Sequence, residues 1–400
     1  MTTTYRQVLV LVETSNAYGR DILKGVMQYV QHLSLEKRTP WWVKFEYRGP
    51  FDGIPRDFTS WHGDGILSRC NTLELYNQLQ KKRVPIVELL NNDVPGGIGV
   101  ESDNNLTASL AANHFCERGL SNIAFYAYGN AWWVNRRRVA FESALKQLDR
   151  RCYVCPDALS LDDPSQYPQW EERHYKSLIR WLKKLPLPIG IWAASDMQAL
   201  RIVQACQEIN IKIPEEIAVL GASNDALLCN LLSPQLSSID LNAERIGYLA
   251  AELLDKQMDQ FKETGSLDLP NTSAPITVEP QGVITRQSTD MTASADPDCA
   301  AAMEYIRKNY TGPVSVETVA KTVSLSRSTL DRRFCKNFGR TVDKEIFRLR
   351  MEMAEKLLLQ TDLPVNIISS RSGFQCYEYF FRAFKRFHNL TPQQYREKNV

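Results

Sequence analysis

The chain has 400 residues, of which 44% are hydrophobic, 24% charged and 10% aromatic, enough for two or three domains with cores of their own. Collagen-like, disordered and disulfide-framework readings are excluded, because the nine cysteines are odd in number and scattered from Cys70 to Cys376, so reduced thiols are expected. No apolar run approaches the roughly 18 residues of a membrane span, and MTTTYRQ lacks a signal-peptide core, so a cytoplasmic protein without a membrane partner is expected. The net charge of +2 hides an asymmetry: residues 298–400 carry 18 Lys and Arg against 11 Asp and Glu, net +7, which leaves 30 against 35, net −5, for residues 1–297. A basic quarter on a mildly acidic body is the electrostatic footprint of a nucleic-acid binder, although charge alone would suit any polyanion.

In chain order, strand-like and helix-like runs alternate: 8–12 then 18–32, 65–67 then 73–82, 85–89 then 104–118, 123–126 then 133–148, 189–193 then 197–209, and 217–221 then 243–260. Short strands alternating with longer helices predict stacked βαβ units, and a segment of this length exceeds one comfortable core. Residues 1–286 are therefore expected to form a two-lobed α/β domain with two parallel sheets. Cys152 and Cys155 form a C-x-x-C, yet no second pair stands at zinc spacing and the segment reads as a strand, so neither a metal nor a cofactor is expected. Residues 287–297 are small and polar and read as a linker; residues 298–400 read as an all-α domain.

Two helix pairs stand out in that domain. Val316, Val319 and Ala320 give one inward face, Ser324-Leu325 breaks it, and Leu330 and Phe334 give the next, leaving Arg327, Ser328, Asp331, Arg332 and Lys336 outward. An ordinary bundle with a solvated face fits these residues too, but forked guanidinium groups on an exposed helix suit guanine edges. In the second pair Ser372-Gly373-Phe374 makes the turn, Tyr379, Phe380, Phe384 and Phe387 form an aromatic stripe, and Tyr377, Glu378, Arg382, Lys385 and Arg386 face out or flank it. A helix over 341–360 joins the pairs and spans roughly 30 Å, near one turn of B-DNA.

The set Ile367, Gly373, Phe374, Tyr379, Phe380, Phe384, Lys385, Thr391, Pro392, Tyr395 and Arg396 closely resembles the signature of the AraC/XylS family of DNA-binding domains. The resemblance implies an all-α domain with two helix-turn-helix units on double-stranded operator DNA. By position, base contacts fall on Ser328, Asp331 and Arg332 in the first unit and on Tyr377, Glu378 and Arg382 in the second. Cys376 stands where the family caps the second recognition helix with Ser or Asp, and a thiol caps poorly.

Ligands of open parallel sheets sit at the carboxyl ends of strands. There the α/β region offers Arg136, Arg137 and Arg138, then Asp196, then Ser223, Asn224 and Asp225, with Tyr18, Trp132 and Trp133 as apolar surfaces for a sugar ring. Read blindly, Asp196 caps the helix it opens as readily as it binds a ligand. Asp103, Asn104, Ala111, Ala112, Phe115, Arg137, Ala140, Phe141 and the runs A-S-D and I-A-V-L-G resemble the LacI and periplasmic sugar-binding fold over about residues 6–286. That resemblance implies a sugar held by Arg137, Asp196 and one or both of Ser223 and Asn224, with Asp103 or Asn104 on the other lobe. A LacI-like sensor ahead of an AraC-like reader resembles xylose-responsive regulators, which implies D-xylose as the first effector to test, a homodimer, activation of sugar-catabolic genes and contact with RNA polymerase. No phosphate-binding loop, dinucleotide fingerprint, zinc-protease motif or nucleophile elbow occurs, and His32, His62, His114, His174 and His388 stand alone, so no enzyme is expected. The alternatives are a carbohydrate enzyme or a phospho-signalling response protein bearing an accessory DNA domain.

Overall fold

The computed structural model describes residues 5–36, 38–45, 47–49, 58–69, 73–89, 98–128, 132–155, 167–267, 275–290, 296–338, 340–361, 363–388 and 390–399. The chain divides into two compact units, one ending at Met291 and one beginning at Thr292.

The first unit holds two six-stranded sheets. Strands β1 (Arg6–Leu11), β2 (Trp41–Phe45), β3 (Gly65–Ser68), β4 (Ile86–Glu88) and β5 (Ile98–Ser102), with β11 (Ile276–Val278), form the first in the order β11-β5-β4-β3-β1-β2. Strands β6 (Asn122–Tyr126), β7 (Cys152–Val154), β8 (Ile189–Ala193), β9 (Ile217–Ala222), β10 (Ser237–Asp240) and β12 (Gly282–Ile284) form the second in the order β12-β10-β9-β8-β6-β7. Helices α1 (Ala17–Leu35) and α2 (Leu73–Gln80) lie in the first lobe, and α3 (Asn104–Cys116), α4 (Trp132–Gln147), α5 (Tyr167–Leu182), α6 (Asp196–Glu208) and α7 (Ala226–Leu231) in the second. Helix α8 (Ala243–Thr264) returns to pack on α1. Every residue of β8 and β9 is buried, as expected of parallel strands covered on both faces. The two expected parallel sheets are present, except that β12 runs antiparallel to β10 at an edge.

The contact of α1 with α8 depends on two glycines. A methyl at Gly25 would stand 1.9 Å from the Glu244 carbonyl oxygen, and one at Gly247 2.0 Å from that of Ile22. Below this crossing, buried Asp255 accepts from Tyr29 Oη at 3.0 Å, Trp41 Nε1 at 2.9 Å and Arg38 at 2.6 Å, which compensates its charge.

The segment expected to be a free linker, 287–297, is structured where it is described. Gln287–Thr289 forms a 3-10 turn whose Ser288 donates to the Val219 carbonyl at 2.6 Å and whose Thr289 meets His114 Nε2 at 2.8 Å. Both side chains are fully buried, so small polar residues here seal the second sheet instead of connecting domains. At the other end Asp296 caps the first helix of the helical unit, so that unit begins before residue 298. Residues 291–295 lie outside the described residues.

The second unit is α9 (Pro297–Asn309), α10 (Val316–Thr322), α11 (Arg327–Phe338), α12 (Val342–Gln360), α13 (Val365–Arg371), α14 (Tyr377–His388) and α15 (Pro392–Asn399). It has two small cores, one around Ile306, Val319, Leu330 and Phe334, the other around Ile368, Phe374, Phe380 and Phe384. Helix α12 belongs to both: Val342, Ile346 and Leu349 enter the first and Met351, Ala354 and Leu358 the second. Its Arg350 donates to the carbonyls of Tyr310 at 2.7 Å and Gly312 at 2.9 Å, tying the loop before α10 to the helix centre. The turn before α14 closes against the same loop. Gly373 has φ +90°, and a methyl there would lie 2.5 Å from the Tyr310 carbonyl oxygen.

Gly373→Ala is therefore expected to lower stability by about 1–3 kcal/mol through backbone strain and steric overlap together. Gly312→Ala, whose methyl would meet only the Asn309 carbonyl at 3.3 Å, should cost much less. Denaturant unfolding followed by far-ultraviolet circular dichroism compares them, and equal stability for both variants contradicts the close approach.

Candidate functional site

Helix α4 begins at Trp132, so Arg136, Arg137 and Arg138 occupy its second turn, away from the positive end of the helix dipole. They point three ways. Arg136 pairs with Glu101 of the first lobe at 3.4 Å, and Arg138 with Glu142 at 2.8 Å on its own helix. Arg137 is buried, donating to the Ala194 carbonyl at 2.5 Å and to Asn104 Oδ1 at 3.3 Å with its guanidinium 5.1 Å over Trp133. Burial pulls its pKa down, while Tyr18, Asp196 and Glu101 oppose the loss of charge.

The other expected ligands of the second lobe are largely engaged by the protein. Asp196 is buried; Oδ1 accepts from the Ser238 hydroxyl at 2.5 Å and Oδ2 from the Asp225 backbone N–H at 2.7 Å. A methyl at Gly221 would stand 2.1 Å from Asp196 Oδ1, so glycine is what lets this carboxylate sit against the strand. Asn224 donates to Asp240 at 3.2 Å and accepts from Arg286 at 2.9 Å. Ser223 and Asn224 both have positive φ, 111° and 50°. Asn tolerates this region and Ser at φ 111° does not, so the end of β9 holds backbone strain of the kind found at ligand sites. Asp103 and Asn104, expected on the opposite lobe, instead open α3 of the second, because the chain crosses over at the end of β5: Asp103 caps α3 through the N–H groups of Asn105 and Leu106, both at 2.9 Å, and Asn104 meets Arg137. Trp132 opens α4, and its side chain lies outside the described residues.

On the first lobe the expected Tyr18 stands among polar groups that the sequence pattern did not single out. Tyr18 Oη lies 3.4 Å from the Ser102 hydroxyl, and its ring carries the guanidinium of Arg69 at 5.3 Å. Arg69 follows β3 and forms an ion pair with Glu13, which follows β1; Glu88 ends β4. The usable signal was a charged residue directly after an apolar strand, as in Val12-Glu13 and Ser68-Arg69. The five histidines do not converge, and among the described residues no three His, Cys, Asp or Glu side chains are grouped to hold a metal.

The helical unit presents two outward helix faces. On α11, Arg327, Ser328, Arg332 and Lys336 are exposed; Arg327 pairs with Glu317 at 2.5 Å and reaches Asp343 at 3.7 Å. Asp331, expected to contact bases, is instead half-buried and accepts from the Val342 backbone N–H at 3.3 Å, because α12 starts beside it with a donor to satisfy. On α14, Tyr377, Glu378, Arg382, Lys385 and Arg386 are all exposed. The Cys376 thiol donates to Glu378 at 2.9 Å, and Arg382 Nε to the Glu378 carbonyl at 3.3 Å. Tyr379 and Phe387, assigned to the inward aromatic stripe, are more than half exposed, and only Phe380 and Phe384 fill the core.

Residues 112–289 match the periplasmic binding protein-like domain family and residues 319–398 a helix-turn-helix domain family. The whole chain is 31% identical to the xylose operon regulatory protein of Escherichia coli K12, over 99% of that protein, and 29% identical to that of Haemophilus influenzae Rd over 99% of each. Among solved structures, that of the xylose-binding transcription activator XylR aligns over the full length of both chains with TM-score 0.68 and 29% identity. A LacI family regulator from Enterococcus faecium with bound ribose shares the fold of the first unit, covering 71% of this chain and 98% of that one at TM-score 0.54 and 20% identity.

Burial of Asp196 has a measurable consequence, because loss of solvation raises its pKa from 3.8 to about 6, against the opposing hydrogen bonds from Ser238 and Asp225. A carboxyl raised in the folded state contributes stability that is complete below pH 4 and is lost as pH rises through 6. The shift is on the order of 3 kcal/mol. The stability of the parent relative to Asp196→Asn is therefore expected to fall between pH 4 and pH 7. Thermal or urea unfolding of both proteins across that range measures it, and a pH-independent difference contradicts the assignment.

Proposed function

We propose that this chain, which belongs to the family of the xylose operon regulatory proteins, binds D-xylose or a related monosaccharide between the lobes of its first unit and thereby controls operator binding by its second. It is a sugar-responsive transcription regulator with a helix-turn-helix DNA-binding domain, not an enzyme. The carrying observation is Arg137, a buried guanidinium of the second lobe whose neighbours are a carbonyl, an amide oxygen and an indole face, and which feels Tyr18 and Glu101 of the first lobe. These leave a flat donor fork beside an aromatic wall, the arrangement that grips adjacent hydroxyls of a pyranose and stacks on its apolar face. Tyr18, Asn104 and Ser223 complete the set of side chains proposed to touch the sugar. Asp196, Asn224 and Asp103 act one step back, by fixing the loops that carry the contacts.

The sensor extends to Asp290 and the DNA-binding domain begins at Asp296. Arg332 and Arg382 read base edges on double-stranded operator DNA, with Ser328 and Tyr377 beside them, while Arg327, Lys336, Lys385 and Arg386 contact phosphates. Glu378, exposed at the start of α14, stands with them on the base-reading face. The protein acts in the cytoplasm as a homodimer that activates sugar-catabolic genes together with RNA polymerase. The named XylR activator, aligned over its full length, supports activation.

Arg137→Ala should weaken sugar binding by about 1.5–3 kcal/mol, since the hydroxyls lose the fork and keep their desolvation cost. Isothermal titration with a panel of pentoses and hexoses measures this, and parental affinity in the variant removes the pocket from this cleft. For DNA, Arg332→Ala and Arg382→Ala should each cost about 1–3 kcal/mol on the operator and much less on random duplex. Lys336→Ala and Lys385→Ala should weaken both duplexes alike and lower the salt slope by about one. Titrations at several salt concentrations separate the classes, and equal arginine losses on both duplexes would demote those residues to backbone contacts.

A further inference from the structure

Three charged side chains outside the expected sugar contacts occupy the carboxyl ends of neighbouring strands in the first lobe. Glu13 follows β1, Arg69 follows β3 and Glu88 closes β4, and the sheet order places these strands side by side. Arg69 and Glu13 form a largely desolvated ion pair, with 10% and 6% of their side chains exposed. Asn16 Nδ2 donates to Glu13 at 3.3 Å, and the guanidinium lies 5.3 Å over the Tyr18 ring, so its plane is fixed from two sides. Its Nε is buried and has no hydrogen-bond partner among the described residues. A purely structural ion pair has no use for a desolvated, unsatisfied donor, whereas a site awaiting a ligand does. Tyr18, which carries Arg69 on its ring, also feels the charge of Arg137 of the second lobe.

We propose that Arg69, fixed by Glu13 and Tyr18, is a specificity-determining contact of the first lobe that donates from Nε to a ring hydroxyl of a neutral polyhydroxy sugar. The proposal rests on the sugar reading of the cleft and extends it to the opposite wall. Neutrality follows from the mixture of charge: Arg69 and Arg137 stand among Glu13, Glu88 and Glu101, so an anion meets repelling carboxylates and a cation repelling guanidinium groups, whereas hydroxyls accept from the arginines and donate to the acids.

The test uses the full-length protein, isothermal titration, and a panel of D-xylose, L-arabinose, D-ribose, D-glucose, D-gluconate and the monodeoxy analogues of whichever sugar binds. Arg69→Met removes the donors and keeps the stem, and Arg69→Lys keeps the charge without the fork. The parent is expected to bind one neutral sugar and to bind its deoxy analogue at the Arg69-facing position at least ten-fold more weakly. Both variants should lose at least ten-fold for the sugar and no longer distinguish it from that analogue, a change that altered stability alone does not produce. If either folded variant keeps the parental ratio for every analogue, the contact is overturned while the sugar reading stands. Tighter binding of gluconate than of any neutral sugar overturns the assigned ligand class. A parent that binds no member of the panel overturns the sugar reading and this proposal with it.

Discussion

An arginine withdrawn from water keeps its charge, so whatever surrounds it must supply acceptors in the plane of the guanidinium. Arg137 imposes that requirement on the second lobe. Its acceptors are the Ala194 carbonyl, at the end of β8, and Asn104, which stands where the chain first crosses from one sheet to the other. The strand end and the crossing are therefore held by the same group that faces the cleft. The neighbouring Arg136 reaches Glu101 of the first lobe, so consecutive residues of one helix anchor the inside of one lobe and the edge of the other. Arg69, Tyr18 and Glu13 repeat the arrangement on the first lobe, a second buried cation on an aromatic face with a carboxylate behind it.

In the proposed reading, a sugar between these walls supplies the partners that neither lobe completes alone. Ligand binding then changes the free energy of one lobe arrangement relative to another, and only that difference can be transmitted to DNA. The receiving unit is suited to act as one body. Helix α12 contributes to both small cores, and Arg350 and Gly373 lock the loop before the first helix-turn-helix unit against the turn of the second. The spacing of α11 and α14 is thus set within the unit.

The sequence made much of this legible where the pattern is long or chemically unusual. The buried strands β8 and β9 and the helix α6 that packs on both show patterns long enough to be recognised, and the aromatic and glycine pattern around α14 identifies the DNA-binding class. Strands of three residues such as β11 and β12 are too short to display alternation, and their pairing is decided by partners far along the chain. Ser288 and Thr289 read as linker because small polar residues are common there; their burial depends on Val219 and His114, which sequence spacing does not reveal. Asp331 lies on the outward arc of its helix, yet the start of α12 turns it inward. Arg69 and Glu13 are not legible for a related reason: each is a single charged residue after a strand, and only the sheet order makes them a pair.

The central claim is that one protein couples a sugar between its lobes to DNA at its helical unit, and thermodynamic linkage makes that coupling symmetric. The most direct measurement is a closed cycle on the full-length protein: operator affinity with and without saturating sugar, and sugar affinity with and without saturating operator. The account predicts the same factor on both sides of the cycle, different from one, and its disappearance in Arg137→Ala. Tight binding of both ligands with a factor of one on each side would contradict it.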